Sequence, residues 1–197
     1  MSEIDTKESL LAAAKKLFLT RGYAGTSVDA ICSQAKVSKG SFYHFFDTKE
    51  ELALAVLQWS IERSSAIIAA GTFVRMTDPV ERAVGYLKHV EKSAETIWKG
   101  GCILSTFAIE LADTHPKLQK VVAEIFSAVA ADVAQQLKPI ADLGNGIPSA
   151  SELADQFLII LEGSIILAKA HRQPERVTKA IRNFRKTLQA LLASAAV

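Results

Sequence analysis

Between residues 26 and 49 hydroxyl-bearing, aromatic and cationic side chains interleave with large apolar ones. Thr26, Ser27, Lys36, Ser38, Lys39, Ser41, Tyr43, His44 and Lys49 form the first set; Val28, Ile31, Val37, Phe42 and Phe45 form the second. Hydroxyl donors and cations are the groups that bind phosphate oxygens and base edges. Across residues 15–46, Lys15, Lys16, Arg21, Lys36 and Lys39 oppose only Asp29, a local net charge of +4. The whole chain is nearly neutral, with 23 Lys and Arg against 21 Asp and Glu. That local excess attracts a polyanion without coating the molecule in charge. The apolar set is spaced to make a small core with Leu17 and Phe18, which leaves the polar set outside.

Other chemistries find little support. Cys32 and Cys102 are far apart and form no Cys-x-x-Cys pair, so zinc-finger and disulfide-scaffold readings fail. His44, His89, His115 and His171 show no metal-ligand spacing, and phosphate-binding glycine loops and a Gly-x-Ser-x-Gly elbow are missing. No metal or cofactor is expected. An enzyme using Cys102 with His89 or His115 would need a nucleophile, a base and an orienting group in one cleft, and no spacing suggests that trio. No apolar run approaches the roughly 20 residues that span a bilayer. The start Met1-Ser2-Glu3-Ile4-Asp5 lacks the basic-then-apolar pattern of a secretory signal. A cytoplasmic protein without a membrane partner is the expectation.

The elements that must position these residues read as helices almost throughout, an all-α fold of about nine helices. Leu10, Leu11, Ala14, Leu17 and Phe18 form the apolar stripe of a first helix over 6–21, with Gly22 as a left-handed stop. Thr26-Ser27 caps a short helix over 28–34, residues 35–37 make a turn, and Ser38 caps another over 39–45. Asp47 or Thr48 caps a long helix to about residue 70. A linker over 71–79 precedes helices at 79–96, 101–114 and 116–139. The segment Gly144-Asn145-Gly146-Ile147-Pro148 is the clearest loop, and last helices follow at 151–171 and 174–195. Short helix, tight turn and short helix make the helix-turn-helix plan, whose second helix enters the DNA major groove.

The run Phe18…Gly22-Tyr23…Thr26-Ser27-Val28-Asp29-Ala30-Ile31…Ala35-Lys36-Val37-Ser38-Lys39-Gly40-Ser41-Phe42-Tyr43-His44-Phe45-Phe46…Lys49-Glu50-Glu51-Leu52 resembles the DNA-binding domain of TetR/AcrR-family transcriptional regulators. The resemblance implies a DNA-binding domain over 1–48 and a regulatory domain for ligand binding and dimerisation over 49–197. It implies that Thr26 and Ser27 bind a phosphate, that Lys39 and Ser41 face bases, and that Gly40 permits close approach. Tyr43, His44 and Lys49 would clamp the flanking backbone. Lys36 departs from the family's frequent left-handed Gly, at a cost of about 1 kcal/mol, and can add a phosphate contact.

A homodimer on a near-palindromic operator sets recognition helices about 34–36 Å apart. The last two helices are its expected interface, through Phe157, Leu158, Leu161, Ile165 and Ala168 on one and Val177, Ile181, Phe184, Leu188, Leu191 and Leu192 on the other. Gly163 and Ala170 would allow close helix approach. Arg172, Arg176, Lys179, Arg182 and Lys186 read as a solvated face. The resemblance also implies a small-molecule inducer in a cavity drawn from Trp59, Tyr86, His89, Cys102, Phe107, Phe126, Phe157 and Leu161. Cys102, at a helix start near Lys99, is a candidate reactive thiol. Its surroundings, Gly101-Cys102-Ile103-Leu104 with Ala108-Ile109-Glu110-Leu111-Ala112 and His115-Pro116, resemble a subgroup that includes repressors of detoxifying reductases, some of them sensors of electrophiles. The expected function is a repressor released by a small molecule or electrophile; the alternative is an activator, or a DNA binder without an effector.

Overall fold

The structure is a computed structural model that describes residues 3–144 and 146–195. Met1, Ser2 and Asn145, which entered the sequence expectations, lie outside the described residues. All regular structure in the described residues is helical: α1 (Glu3–Arg21), α2 (Val28–Ala35), α3 (Lys39–Phe45), α4 (Lys49–Ala69), α5 (Pro79–Trp98), α6 (Ile103–Leu111), α7 (Pro116–Ala141), α8 (Ala150–His171) and α9 (Glu175–Ala195). The expected linker holds a short 3-10 turn, Thr72–Arg75. Pro139 does not end α7, which runs on to Ala141 without the one ladder bond its missing N–H would have made. None of the described helices is long and apolar enough to cross a membrane.

The helices gather into two compact units. Met1–Arg63 with Cys102–Ile125 forms the first, and Ser64–Gly101 with Phe126–Val197 forms the second. In the first, α1 packs against α2, α3 and α6. Leu10, Phe18, Ile31, Phe42, Leu52 and Phe107 are fully buried there, each worth roughly 1.5–3 kcal/mol of apolar transfer. The Phe18 ring meets Tyr23 at 5.5 Å and Phe107 at 5.4 Å. Phe45, expected in this core, is only half-buried, and Phe46 takes the place at 3% exposure. The reason is that α3 ends at Phe45: Phe46 adopts extended backbone (φ −143°, ψ 121°), which turns its ring back toward Phe42, 6.0 Å away.

In the second unit α5 and α8 both pack on α9. Glu91 is buried on α5 and accepts from Arg182 Nε at 2.7 Å and from Arg185 Nη2 at 2.8 Å. Burial raises the Glu91 carboxyl, but the hydrogen bonds and charges of the two arginines outweigh it and hold it below the ordinary carboxylate value. Arg182 is therefore an α5–α9 clamp rather than part of a purely solvated stripe.

The expected dimer faces are corrected as well. Phe157, Leu161, Ile165 and Ala168 of α8, and Val177, Ile181, Phe184 and Leu188 of α9, are buried within the one chain. The Phe157 and Phe184 rings meet at 5.3 Å. Helix α9 packs on both α8 and α5, while Leu158 and Leu192 of the expected faces are half-buried and Leu191 is exposed. A different face of α8 remains open: Ile159 (73% exposed), Ile160, Ile166 and Leu167. Gly163 lies in the same stripe, with nothing within 4 Å of a Cβ built there.

Candidate nucleic-acid interface

The α2–α3 pair is set by its caps. Ser27 Oγ accepts from Ala30 N at 3.2 Å and starts α2. Lys36 ends it in the left-handed region (φ 59°, ψ 42°), its N–H bonded to Cys32 and Ser33 carbonyls, as its place at the family's frequent left-handed Gly predicts. Ser38 Oγ accepts from Ser41 N at 3.0 Å and lies 2.9 Å from Ser41 Oγ, starting α3. Below α3 lies the fully buried Phe42. On its outer side Lys39, Gly40, Tyr43 and His44 are exposed, Tyr43 by 56%, with Ser41 half-buried. A Cβ at Gly40 would meet only Ser38 Oγ at 3.6 Å, an ordinary contact. The fold therefore leaves room for a side chain there.

Three expected DNA contacts are engaged elsewhere. Thr26 is 1% exposed; its hydroxyl donates to the Gly22 carbonyl at 2.7 Å and its N–H to Tyr23 O. It is a turn residue and has no hydroxyl to offer a phosphate. Lys49 turns its ammonium inward, donating to Tyr23 O at 2.9 Å and Thr26 O at 3.1 Å, with the Tyr23 ring 4.1 Å away. Desolvation lowers its pKa, against the Glu110 charge. Lys39 is exposed but pairs with Asp29 at 2.6 Å, and that hydrogen bond raises its pKa. An exposed pair of this kind opens easily when a stronger anion arrives. His44 Nε2 sits 3.6 Å from Glu3 Oε1. Lys15 is half-buried over the Trp59 ring. The outward field is thus weaker than the local +4 implies.

Glu110 lies in a stretch that carries the subgroup resemblance, but the sequence gives it no contact of its own. From α6 its carboxylate accepts from Tyr23 N and Ala24 N, both at 2.8 Å, so it holds the turn between α1 and α2. Gly22 is favoured by its φ of +75°, and a Cβ there would stand 2.8 Å from Glu110 Oε2, so the carboxylate would have to shift. The partners are 87 residues apart in sequence, which is why spacing rules miss them. The one trace is Gly22 itself.

The candidate effector residues fall in both units. Phe107 is fully buried against Phe18 and Tyr23, and Phe157 is packed on Phe184, so both are core residues. Tyr86 is buried with its ring on Phe73 at 5.6 Å, and desolvation raises its phenol far above the ordinary value. His89 also meets Phe73, and its Nε2 lies 2.9 Å from Ile67 O. Leu161 is buried and Phe126 half-buried. Trp59 Nε1 is buried without a hydrogen-bond partner. Cys102 is buried at the N-cap of α6, outside any disulfide, and its carbonyl accepts from Thr106 Oγ1 at 2.8 Å.

Residues 10–56 match the profile of "Bacterial regulatory proteins, tetR family", and residues 79–183 match "Transcriptional regulator LmrA/YxaF-like, C-terminal domain". The chain belongs to the TetR family of transcriptional regulators. Its helix-turn-helix is accordingly a DNA-binding unit of that family, followed by a C-terminal domain of the LmrA/YxaF-like type. An uncharacterised HTH-type regulator of Lactococcus lactis is 27% identical over 169 residues, 84% of each chain. The HTH-type transcriptional repressor NemR of Escherichia coli is 44% identical over 57 residues, 29% of each chain. A TetR regulator from Chloroflexus aurantiacus superposes with a TM-score of 0.79 at 26% identity, over 95% of this chain and 96% of that one.

Proposed function

We infer that this TetR-family regulator is a homodimeric repressor acting in the cytoplasm. Residues 1–48 contact a near-palindromic operator and residues 49–197 carry dimerisation and effector response. The observation that carries the reading is α3: Lys39, Gly40, Tyr43 and His44 exposed on one side, Phe42 fully buried on the other. That is a polar helix mounted on a core, shaped for a groove. The open first-turn amides of α2 beside Ser27 suit one phosphate, and Tyr43, His44 and Lys36 suit the flanking backbone. Lys39 and Ser41 read bases once Lys39 leaves Asp29. Lys49 acts one step back by holding the 23–26 turn. NemR is named a repressor, which supports the sign of regulation.

The dimer is supported by the open α8 face. Ile159, Gly163, Ile166 and Ala170 recur at four- and three-residue spacing, the pattern of a helix that meets another helix. Beside it a groove of about 370 Å³ runs between α8 and α9, lined by Leu153, Ile160, Phe184 and Leu191 among others.

Release is proposed to follow modification of Cys102 by an electrophile. Cys102 stands at the N-cap of α6, and a helix N-terminus favours a thiolate. Cys102 starts α6 and Glu110 lies near its end, so a shift of α6 reaches the 23–24 amides directly. The repressor then persists in a geometry that no longer matches both half-sites. Fluorescence anisotropy on labelled DNA from upstream of its own gene, with and without a thiol-reactive electrophile, tests this reading. Loss of binding in the wild type and retention in Cys102→Ser is the expected result. Equal sensitivity of the two proteins contradicts the sensor, and electrophile-independent binding by both directs the search to a non-covalent effector or to an effector-independent DNA binder.

A further inference from the structure

We propose that Asp29 competes with DNA for Lys39, an internal contact that holds the DNA affinity of this protein below what its cations would give. The inference rests on the reading that α3 faces DNA. Among residues 15–46 Asp29 is the one acid, and it stands in the first turn of α2. Its Oδ1 lies 2.6 Å from Nζ of Lys39 at the start of α3, with both side chains largely exposed. That distance is a charge-assisted hydrogen bond. The bond and the charge of Asp29 raise the Lys39 pKa, so the lysine stays positive and its charge is matched.

The pair matters because few cations remain at this face. Over residues 26–49 the lysines are Lys36, Lys39 and Lys49. Lys49 turns inward to the Tyr23 and Thr26 carbonyls, and Asp29 occupies Lys39, which leaves Lys36 exposed. The other basic group of α3 is His44, and a second carboxylate stands beside it: Glu3 Oε1 of α1 is 3.6 Å from His44 Nε2. Two neighbouring helices each set an acid against one of the two basic residues of α3. The dipole of α2 favours an acid in its first turn, which gives Asp29 a share in stability. It does not require that acid to meet a lysine on the next helix. An arriving phosphate offers Lys39 an anionic oxygen like the one it already holds, so the exchange gains little. The exchange also leaves the Asp29 carboxylate bare beside a polyanion with one charge per about 1.7 Å of helix axis. Neutralising Asp29 removes that repulsion and frees Lys39 to contact a phosphate and release a counterion.

The test is an anisotropy titration of a labelled random-sequence duplex with the full-length protein at several salt concentrations. It needs no operator, because phosphate contacts are shared by all sequences. Asp29→Asn should bind roughly three-fold or more tighter than the wild type at low salt, and its log affinity should fall more steeply with log salt, by about 0.9 unit. Its Tm should hold or fall slightly, because asparagine near a helix N-terminus lacks the favourable charge; tighter binding is then not better folding. Asp47→Asn removes another exposed acid, two residues beyond α3, without releasing Lys39, and should gain less. In a Lys39→Ala background Asp29→Asn should also gain less, since no lysine is there to be released. Equal or weaker binding by Asp29→Asn would overturn the proposal, as would a gain matched by Asp47→Asn or one equally large without Lys39. A wild type with no salt-dependent DNA binding would remove the α3 reading and the proposal together. Wild-type binding that Asp29→Asn leaves unchanged removes the proposal alone.

Discussion

At the scale of single residues, glycines and cations of the helix-turn-helix separate folding from DNA contact. Gly40 has room for a methyl group, and glycine inside a helix costs up to about 1 kcal/mol relative to alanine. Gly40→Ala should therefore hold or raise Tm while weakening DNA binding, because the space it fills belongs to the partner. A melting curve and an anisotropy titration on the same sample check both halves; unchanged DNA affinity would show that α3 does not approach DNA closely at that point. Tyr43→Ala should weaken binding to all sequences alike, whereas Lys39→Ala should relax preference at one base pair. Binding-site selection on randomised half-sites distinguishes them. The exposure of Tyr43, the left-handed turn at Lys36 and the caps Ser27 and Ser38 were legible in the sequence because their signals are local. Thr26 and Lys49 were not, because both polar ends fold back onto the 22–26 turn, and residue type alone does not tell an inward hydrogen bond from an outward one.

At the scale of elements, two carboxylates tie helices together. Glu110 on α6 holds the 23–24 amides, so Glu110→Ala leaves α3 untouched in sequence yet should loosen the turn that seats α2. DNA affinity should drop with little change in circular dichroism, and equal affinity in the two proteins would remove Glu110 from the coupling route. Glu91 joins α5 to α9 through Arg182 and Arg185. Its carboxyl is depressed in the folded protein, so its contribution is present above the ordinary value of 4.5 and is lost as pH falls through the lower folded value. Glu91→Gln should cost about 1–3 kcal/mol at neutral pH, since one arginine is largely exposed, and should show a smaller loss of Tm between neutral pH and pH about 4. Helix positions were readable from apolar spacing and caps. Partners such as Glu91 with Arg185, 94 positions apart, were not, because periodicity orients a face without naming what it meets.

At the scale of the whole molecule, the family, the all-helical fold and the DNA-binding role of the N-terminal unit follow together from dense local motifs and the two family matches. The choice between two apolar stripes on one helix is where sequence fell short. Both stripes on α8 are apolar, and only the packed structure shows that α9 consumes the Phe157–Ile165 side and leaves Ile159 and Ile166 open. Ile159→Glu with Ile166→Glu should yield a folded monomer with greatly weakened operator binding, read by analytical ultracentrifugation beside the DNA titration; a persistent dimer would locate the interface elsewhere.

In the proposed function a dimer reads DNA through α3 while clamping phosphates around it. The most direct measurement is operator affinity as a function of salt, for the wild type and for Tyr43→Ala and Lys36→Ala. Log affinity should fall steeply and linearly with log salt, and Lys36→Ala should make the slope shallower by about one unit. Tyr43→Ala should weaken binding without changing the slope. A nearly flat salt dependence, or slopes unmoved by removing Lys36, would contradict the phosphate clamp on which the account rests.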